Sequence, residues 1–119
     1  MLGVVRDSGT AAPSAAAPGR LNVVVIVSDD ERYDANRRMR NVSRLVAREG
    51  VTFDRYYTTT SECCPSRPSI LTGQYPHHTG VVANFGPRAY PSFDESSTLA
   101  TWLHGAGYTT ALVGKYLNG

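Results

Sequence analysis

Lysine is almost missing from this chain: eleven of its twelve basic residues are arginine, and Lys115 is the only lysine. Cysteine is scarce too. The two present, Cys63 and Cys64, are neighbours. A trans peptide holds neighbouring Cα atoms about 3.8 Å apart, short of the ~4.4 Å a disulfide needs. They exclude a framework of bridges and say nothing of the redox compartment. Long apolar runs are absent. The strongest, Val23 to Val27, falls far below the ~20 residues that span a bilayer, so no membrane segment is encoded. Met1 to Gly19 contains no continuous apolar core of a signal peptide. Excess charge is absent as well, since a net charge of +2 is too small to argue for a nucleic-acid partner. What is present is 119 residues with 41% apolar content, enough for one small domain.

Residues 1–20 are rich in alanine, proline, glycine and serine and read as a disordered lead. Leu21 to Ser28 is almost unbroken branched aliphatic sequence, which predicts a parallel strand buried on both faces. Asp29 and Asp30 stand at its carboxyl end, the edge of an open α/β sheet where ligands bind. Two adjacent carboxylates offer the hard oxygen donors that calcium or magnesium requires, although aspartate is also common in plain turns. From Ala35 to Glu49, Met39, Val42, Leu45 and Val46 recur at helical spacing with Gly50 as the stop, a surface helix whose arginines form its solvated face. Alternation over Val51 to Tyr57 predicts a short strand.

Cys63-Cys64-Pro65-Ser66-Arg67-Pro68-Ser69-Ile70-Leu71-Thr72-Gly73 is the stretch richest in chemistry. Proline suits a first helical turn, so a short helix is expected to start near Pro65, with Gly73 just past its end. Both cysteines then sit at the helix entrance, where backbone N–H groups and the helix dipole make a seat for an anion and favour a thiolate. Arg67 adds a planar donor fork suited to a tetrahedral oxyanion. Two buried free thiols are the plain structural alternative. A zinc site from Cys63, Cys64, His77 and His78 lacks Cys-x-x-Cys spacing. A cysteine phosphatase loop places an arginine six positions after its nucleophile, where Ser69 and Ile70 stand instead.

Gln74 to Glu95 holds Pro76, Gly80, Gly86, Pro87 and Pro91 with no sustained period and reads as a loop region. Its His77 and His78 are better explained as structural hydrogen-bonding groups than as catalysts. Ser96 or Ser97 is expected to cap a helix presenting Leu99, Trp102, Leu103 and Ala106, ended by Gly107. A strand over Tyr108 to Val113 follows, placing Gly114 and Lys115 at the same sheet edge as Asp29 and Asp30 if the strands are parallel.

Cys-x-Pro-Ser-Arg followed after three residues by Leu-Thr-Gly resembles the signature of the sulfatase family, with every fixed position present. The resemblance implies an α/β fold, the N-terminal part of an alkaline-phosphatase-like sandwich with a mostly parallel central sheet flanked by helices, incomplete in this chain. Residues 21–119 would be the opening portion of the catalytic domain. It also implies that Cys63 is oxidised to formylglycine by a formylglycine-generating enzyme, and that Asp29, Asp30 and residue 63 hold Ca2+, or alternatively Mg2+. One hydroxyl of the hydrated aldehyde would then attack sulfur in line with the departing alcohol, and loss of the second hydroxyl proton would expel sulfate. Arg67 and Lys115, the latter matching the family's Gly-Lys element, would neutralise the sulfuryl oxygens. Cys63-Cys64, Tyr75-Pro76-His77 and Gly-Lys-Tyr-Leu-Asn look most like the branch that includes glucosamine-6-sulfatases. Many members continue Lys-Trp-His where Tyr116 and Leu117 stand here, which leaves the acid for the leaving alcohol open.

The expected activity is therefore hydrolysis of a sulfate ester of a sugar or aryl compound, in an extracytoplasmic protein. The family's later Asp-Asn pair and further sulfate-pocket His and Lys residues have no counterpart here, so residues 1–119 by themselves are expected to be inactive. The alternatives are a phosphodiesterase or phosphonate hydrolase of the same superfamily, a truncated chain that only binds anions or a partner, and a plain structural α/β domain.

Overall fold

The computed structural model describes residues 19–35 and 38–118. Most of the expected disordered lead lies outside them. Its last residue, Arg20, is anchored: Nη1 donates to the Ala106 carbonyl at 2.6 Å, and the guanidinium stands 5.4 Å from the Tyr108 ring centre.

The central element is helix α2, Cys63–Thr72; α1, Arg40–Val42, precedes it and runs on into a wider π-type turn over Ser43–Ala47. α2 begins two residues before the expected Pro65, because first-turn N–H groups need no partner inside the helix. The chain simply winds back to Glu62, whose carbonyl accepts the Ser66 N–H at 3.0 Å. Pro68 lies inside the helix, and its missing N–H leaves the Cys64 carbonyl without the usual donor. Burial of both Pro65 and Pro68 supports that turn by packing. Gly73 closes the helix as predicted, with φ 70° and its N–H on the Ser69 carbonyl.

Two faces of α2 have different work. Cys64, Pro65, Pro68 and Ser69 are buried, and Cys64 joins Val81 and Ala89 in a small core with Phe93 and Leu117 packed against it. Cys63, Ser66, Arg67 and Ile70, at helical spacings of three and four, line an open cleft instead. The loop region that brings Val81 and Ala89 to the core is more ordered than its composition suggests. It carries helix α3, Pro76–Thr79, with proline in its first turn, and a 3-10 turn at Tyr90–Ser92. The Arg88 carbonyl gathers the N–H groups of Val82 and Ala83.

α4, Leu99–Gly105, is capped by Thr98 rather than Ser96 or Ser97. Thr98 Oγ1 accepts the Thr101 N–H at 3.3 Å, and Thr101 Oγ1 accepts the Thr98 N–H at 2.8 Å, a reciprocal box that a serine one or two residues earlier cannot close. Ser97 instead accepts from the Trp102 indole N–H at 2.9 Å.

The three expected strands are not seen as strands here: none of the described residues forms a β-ladder. Leu21 to Ser28 is exposed rather than buried on both faces. Val23, Val25 and Val27 are 54%, 56% and 46% exposed against 79% and 86% for Val24 and Ile26, the alternation of an extended chain with one side less wet. The drier side faces a groove of about 650 Å³ shared with Leu99, Leu103 and Tyr108–Tyr116. Val51, Phe53, Tyr56 and Tyr57 are likewise exposed, as are Leu112 and Val113. A strand needs a neighbour's N–H and C=O groups as well as β-branched residues, and the described segments do not supply that partner to one another. The predicted helix over Ala35 to Glu49 shortens for a related reason. Met39, Val42, Leu45 and Val46 are exposed, so the apolar stripe lacks the packing that sustains a long helix; Asn36 and Arg37 of that stretch lie outside the described residues.

Candidate active site

Asp29, Asp30, Cys63 and Arg67, from two segments more than thirty residues apart, line one cleft of about 190 Å³ with Glu31, Thr58, Thr60 and Ser61. Asp29 bridges two cations. Its Oδ1 accepts from Arg67 Nη2 at 3.0 Å and its Oδ2 from Lys115 Nζ at 2.7 Å. Thus the chain's only lysine, 86 positions away in sequence, arrives beside Asp29 although no sheet joins their segments. The Lys115 hydrogen bond, then that of Arg67, holds the Asp29 carboxyl below its ordinary value. Lys115 is raised above its ordinary value by the same bond, against desolvation, with the Cys63 sulfur adding to the rise.

Arg67 does more than pair with Asp29. Its Nη1 donates to the carbonyls of Lys115 at 2.5 Å and Tyr116 at 3.3 Å, so the fork of a side chain only 12% exposed ties the Lys115 segment to α2. Beyond it, Tyr116 meets the rings of Tyr90 and Phe93 at 6.3 and 6.4 Å. Burial, followed by the Glu95 carboxylate, pushes the Tyr116 phenol up to about 12 and keeps it neutral.

Cys63 is held by residues that sequence reasoning did not single out. Asn118 Nδ2 donates to Cys63 Sγ at 3.2 Å, and the thiol donates to Asn84 Oδ1 at 3.5 Å. Asn84 Oδ1 also accepts the Cys64 N–H at 3.0 Å, taking over the helix cap that Glu62 does not provide. Asn118 was visible only as the last letter of Gly-Lys-Tyr-Leu-Asn, and Asn84 carried no signal, since asparagine in a loop is ordinary turn chemistry. His77 and His78 lie outside the cleft on α3, His77 stacked on Tyr75 and meeting His78 edge to face.

The donor set fits a hard divalent cation in part. Asp29, Asp30 and Glu31 bring three carboxyl groups to one cleft, and Glu31 Oε1 is buried without a hydrogen-bond partner among the described residues. Each ionised carboxylate oxygen accepts about two bonds, so Asp29 keeps acceptor capacity beside its two cations. Asp30 holds a left-handed backbone, φ 52°, uncommon outside glycine. No group of three or more His, Cys, Asp or Glu side chains is close enough to enclose an ion among the described residues. The carboxyl groups share the cleft without forming a shell around an ion.

Comparison with known proteins gives one consistent answer. The family model described as Sulfatase matches residues 21–119. An extracellular sulfatase SULF-1 homolog of Drosophila melanogaster is 37% identical over 118 residues, which is 95% of this chain and 10% of the relative. The N-acetylglucosamine-6-sulfatase of Homo sapiens is 37% identical over 112 residues, 87% of this chain and 20% of the relative. An arylsulfatase of Volvox carteri is 34% identical over 113 residues, 87% and 17%. The chain spans a tenth to a fifth of the length of these relatives. No solved structure matches it significantly.

Proposed function

The chain belongs to the sulfatase family, and on that premise we propose that its residues 21–119 form the nucleophile-bearing part of a sulfuric ester hydrolase in which Cys63 is converted to formylglycine. The observation that carries this reading is the meeting of Asp29, Cys63 and Arg67 along one open cleft, with Lys115, from a third part of the chain, bonded to Asp29. Family membership implies an alkaline-phosphatase-like α/β fold. In the whole protein, residues 21–28 and 108–113 would then pair into its parallel sheet.

The aldehyde hydrate supplies a nucleophilic hydroxyl, and a divalent cation, taken here as calcium, supplies positive charge; Asp29 and Asp30 would hold it. The remaining work falls to the chain's own side chains. Arg67 and Lys115 set two permanent positive charges beside residue 63, where they neutralise charge as it develops on the sulfuryl oxygens. Asp29 orients both cations, and the Lys115 and Tyr116 carbonyls fix the plane of the Arg67 fork.

The relatives' names supply the substrate class, a sulfate ester of a sugar or aryl compound, and an extracytoplasmic setting; no helix among the described residues is long and apolar enough to cross a membrane. Co-expression with a formylglycine-generating enzyme and peptide mass analysis test the proposal. The mass change is expected at Cys63 and not Cys64, with aryl sulfate turnover by the whole protein abolished in Cys63→Ala. A change at Cys64, at neither residue, or a preference for aryl phosphate over aryl sulfate would overturn it.

A further inference from the structure

Lys115 to Asn118 form neither helix nor strand, yet every one of them is engaged elsewhere in the fold. Lys115 Nζ reaches Asp29 Oδ2 at 2.7 Å, Leu117 packs on the core of Cys64, Val81 and Ala89, and the Asn118 carbonyl accepts from the Cys64 thiol at 3.7 Å. The Tyr116 ring turns to a different neighbourhood. It meets Tyr90 edge to face at 6.3 Å and 78°, and Phe93 at 6.4 Å with a tilt of 53°. Tyr90 belongs to the 3-10 turn, and Phe93 rests on the same small core as Leu117. The Glu95 carboxylate stands beside the phenols of Tyr90 and Tyr116 as an acceptor for each.

The backbone of this segment decides where two charges stand. Arg67 Nη1 donates to the Lys115 carbonyl at 2.5 Å and to the Tyr116 carbonyl at 3.3 Å, and Lys115 begins its reach to Asp29 from the same two residues. A lysine stem is flexible, so its ammonium is placed only as well as the backbone that carries it. No helix or ladder among the described residues holds that backbone. We propose that Tyr116 is a positioning residue for Lys115 and Arg67, its ring wedged against Tyr90 and Phe93 so that the carbonyls of residues 115 and 116 stay where the guanidinium meets them. This rests on the reading of Arg67 and Lys115 as the groups that neutralise the sulfuryl oxygens. The ring, not the phenol, supplies the fix, because two aromatic contacts hold its plane whether or not the hydroxyl finds Glu95. A displacement of about 1 Å in groups that must align with the reacting atoms is enough to lose most of the rate.

For the test, the whole protein is made with the modifying enzyme, and aryl sulfate turnover is compared at a conversion of residue 63 matched by peptide mass. Tyr116→Leu keeps apolar bulk and loses the ring; it is expected to lower kcat about tenfold or more. Its KM is expected to stay within about threefold, because both charges remain in the cleft and still attract the anion. Tyr116→Phe keeps the ring and is expected to stay within about twofold of wild type in both constants. Tyr90→Leu removes one ring contact without altering the segment itself and is expected to cost about threefold in kcat. It stands in for Tyr116→Leu should that variant fail to fold. Thr98→Ala, which opens the cap of α4, controls for lost stability alone and is expected to leave kcat unchanged. A lysine-specific protease gives a readout free of turnover. Cleavage after Lys115, divided by that of the matching unfolded peptide, is expected to rise about fivefold in Tyr116→Leu and to stay at the wild-type rate in Tyr116→Phe. Wild-type kcat in both Tyr116→Leu and Tyr90→Leu would overturn the proposal, as would a loss in Tyr116→Phe or in Thr98→Ala equal to that in Tyr116→Leu. Absence of turnover in the converted wild type would instead sink the sulfatase reading, and the cleavage rates would still judge Tyr116.

Discussion

Replacing Arg67 with alanine should release the segment around Lys115 from α2, and the chain carries its own reporter for that release. Lys115 is its only lysine, so a lysine-specific protease cuts the 119 residues at a single place. The guanidinium makes three bonds across this junction, to the Lys115 carbonyl at 2.5 Å, the Tyr116 carbonyl at 3.3 Å and Asp29 Oδ1 at 3.0 Å. A short hydrogen bond from a charged donor is worth about 2 kcal/mol. The longer bond from the same Nη1 adds little. Asp29 is 41% exposed, so solvent screens its pair with Arg67 and it is left out of the sum. The loss of about 2 kcal/mol corresponds to roughly a thirtyfold rise in the open population. At low protease concentration cleavage follows that population, and the rate at Lys115 should rise between about ten- and a hundredfold. Arg32→Ala, which removes only an exposed pair with Asp34, serves as the control and should leave it unchanged. A rate within threefold of wild type in Arg67→Ala would show that the aromatic contacts of Tyr116, not the guanidinium, hold the segment.

In the metal-free chain, Asp29 should titrate below 3.8, its ordinary value, when followed by NMR, and Lys115→Ala should move it back toward that value. The sign follows from linkage. Because its folded pKa is depressed, the Asp29 contribution is fully present above 3.8 and fades as pH falls through the lower folded value. The Lys115 contribution is complete below 10.5 and is lost as pH rises through its raised value. Titration of Asp29 at or above 3.8 would contradict the pairing. Thr98→Ala should cost about 1 kcal/mol, read from the denaturation midpoint, because it opens the box with Thr101; an equal cost for Ser96→Ala would place the cap where the residue pattern alone puts it.

What could be read from the residues was whatever depends on local chemistry. Gly73 ends α2 because a left-handed residue is cheap only for glycine there. Lys115 reaches Asp29 because both stand at the ends of apolar segments that run past the same helix. What could not be read depends on partners distant in sequence. Branched aliphatic composition over residues 21–28 expresses a demand for neighbours and does not provide them, so the segment is exposed with only a residue of strand periodicity. Thr98 won over Ser96 and Ser97 because a capping box needs the right residue three places on, and Thr101 is three places after Thr98. Asn84 and Asn118 were hidden for another reason: an asparagine becomes part of a site only through what the fold places against its amide.

The contrast between the adjacent thiols shows how one helix separates structure from chemistry. Successive residues on an α-helix point about 100° apart, so Cys63 and Cys64 cannot share an environment. Cys64 falls on the buried face with Pro65, Pro68 and Ser69, and its thiol donates to the Asn118 carbonyl at 3.7 Å. Cys63 falls in line with Ser66, Arg67 and Ile70 along the cleft. Arg67 is four residues after Cys63, the spacing that sets two side chains one above the other on a helix. The same spacing counted from Cys64 leads to Pro68, which has neither charge nor donor. Thus the register of α2, held by its two buried prolines and its glycine stop, selects which thiol stands beside the cations. Shifting that register by one residue would bury the guanidinium in the core and leave Asp29 with Lys115 alone. The pairing of cleft face and core face is therefore one constraint, and the small core of Cys64, Val81 and Ala89 holds the site as directly as the ion pairs do.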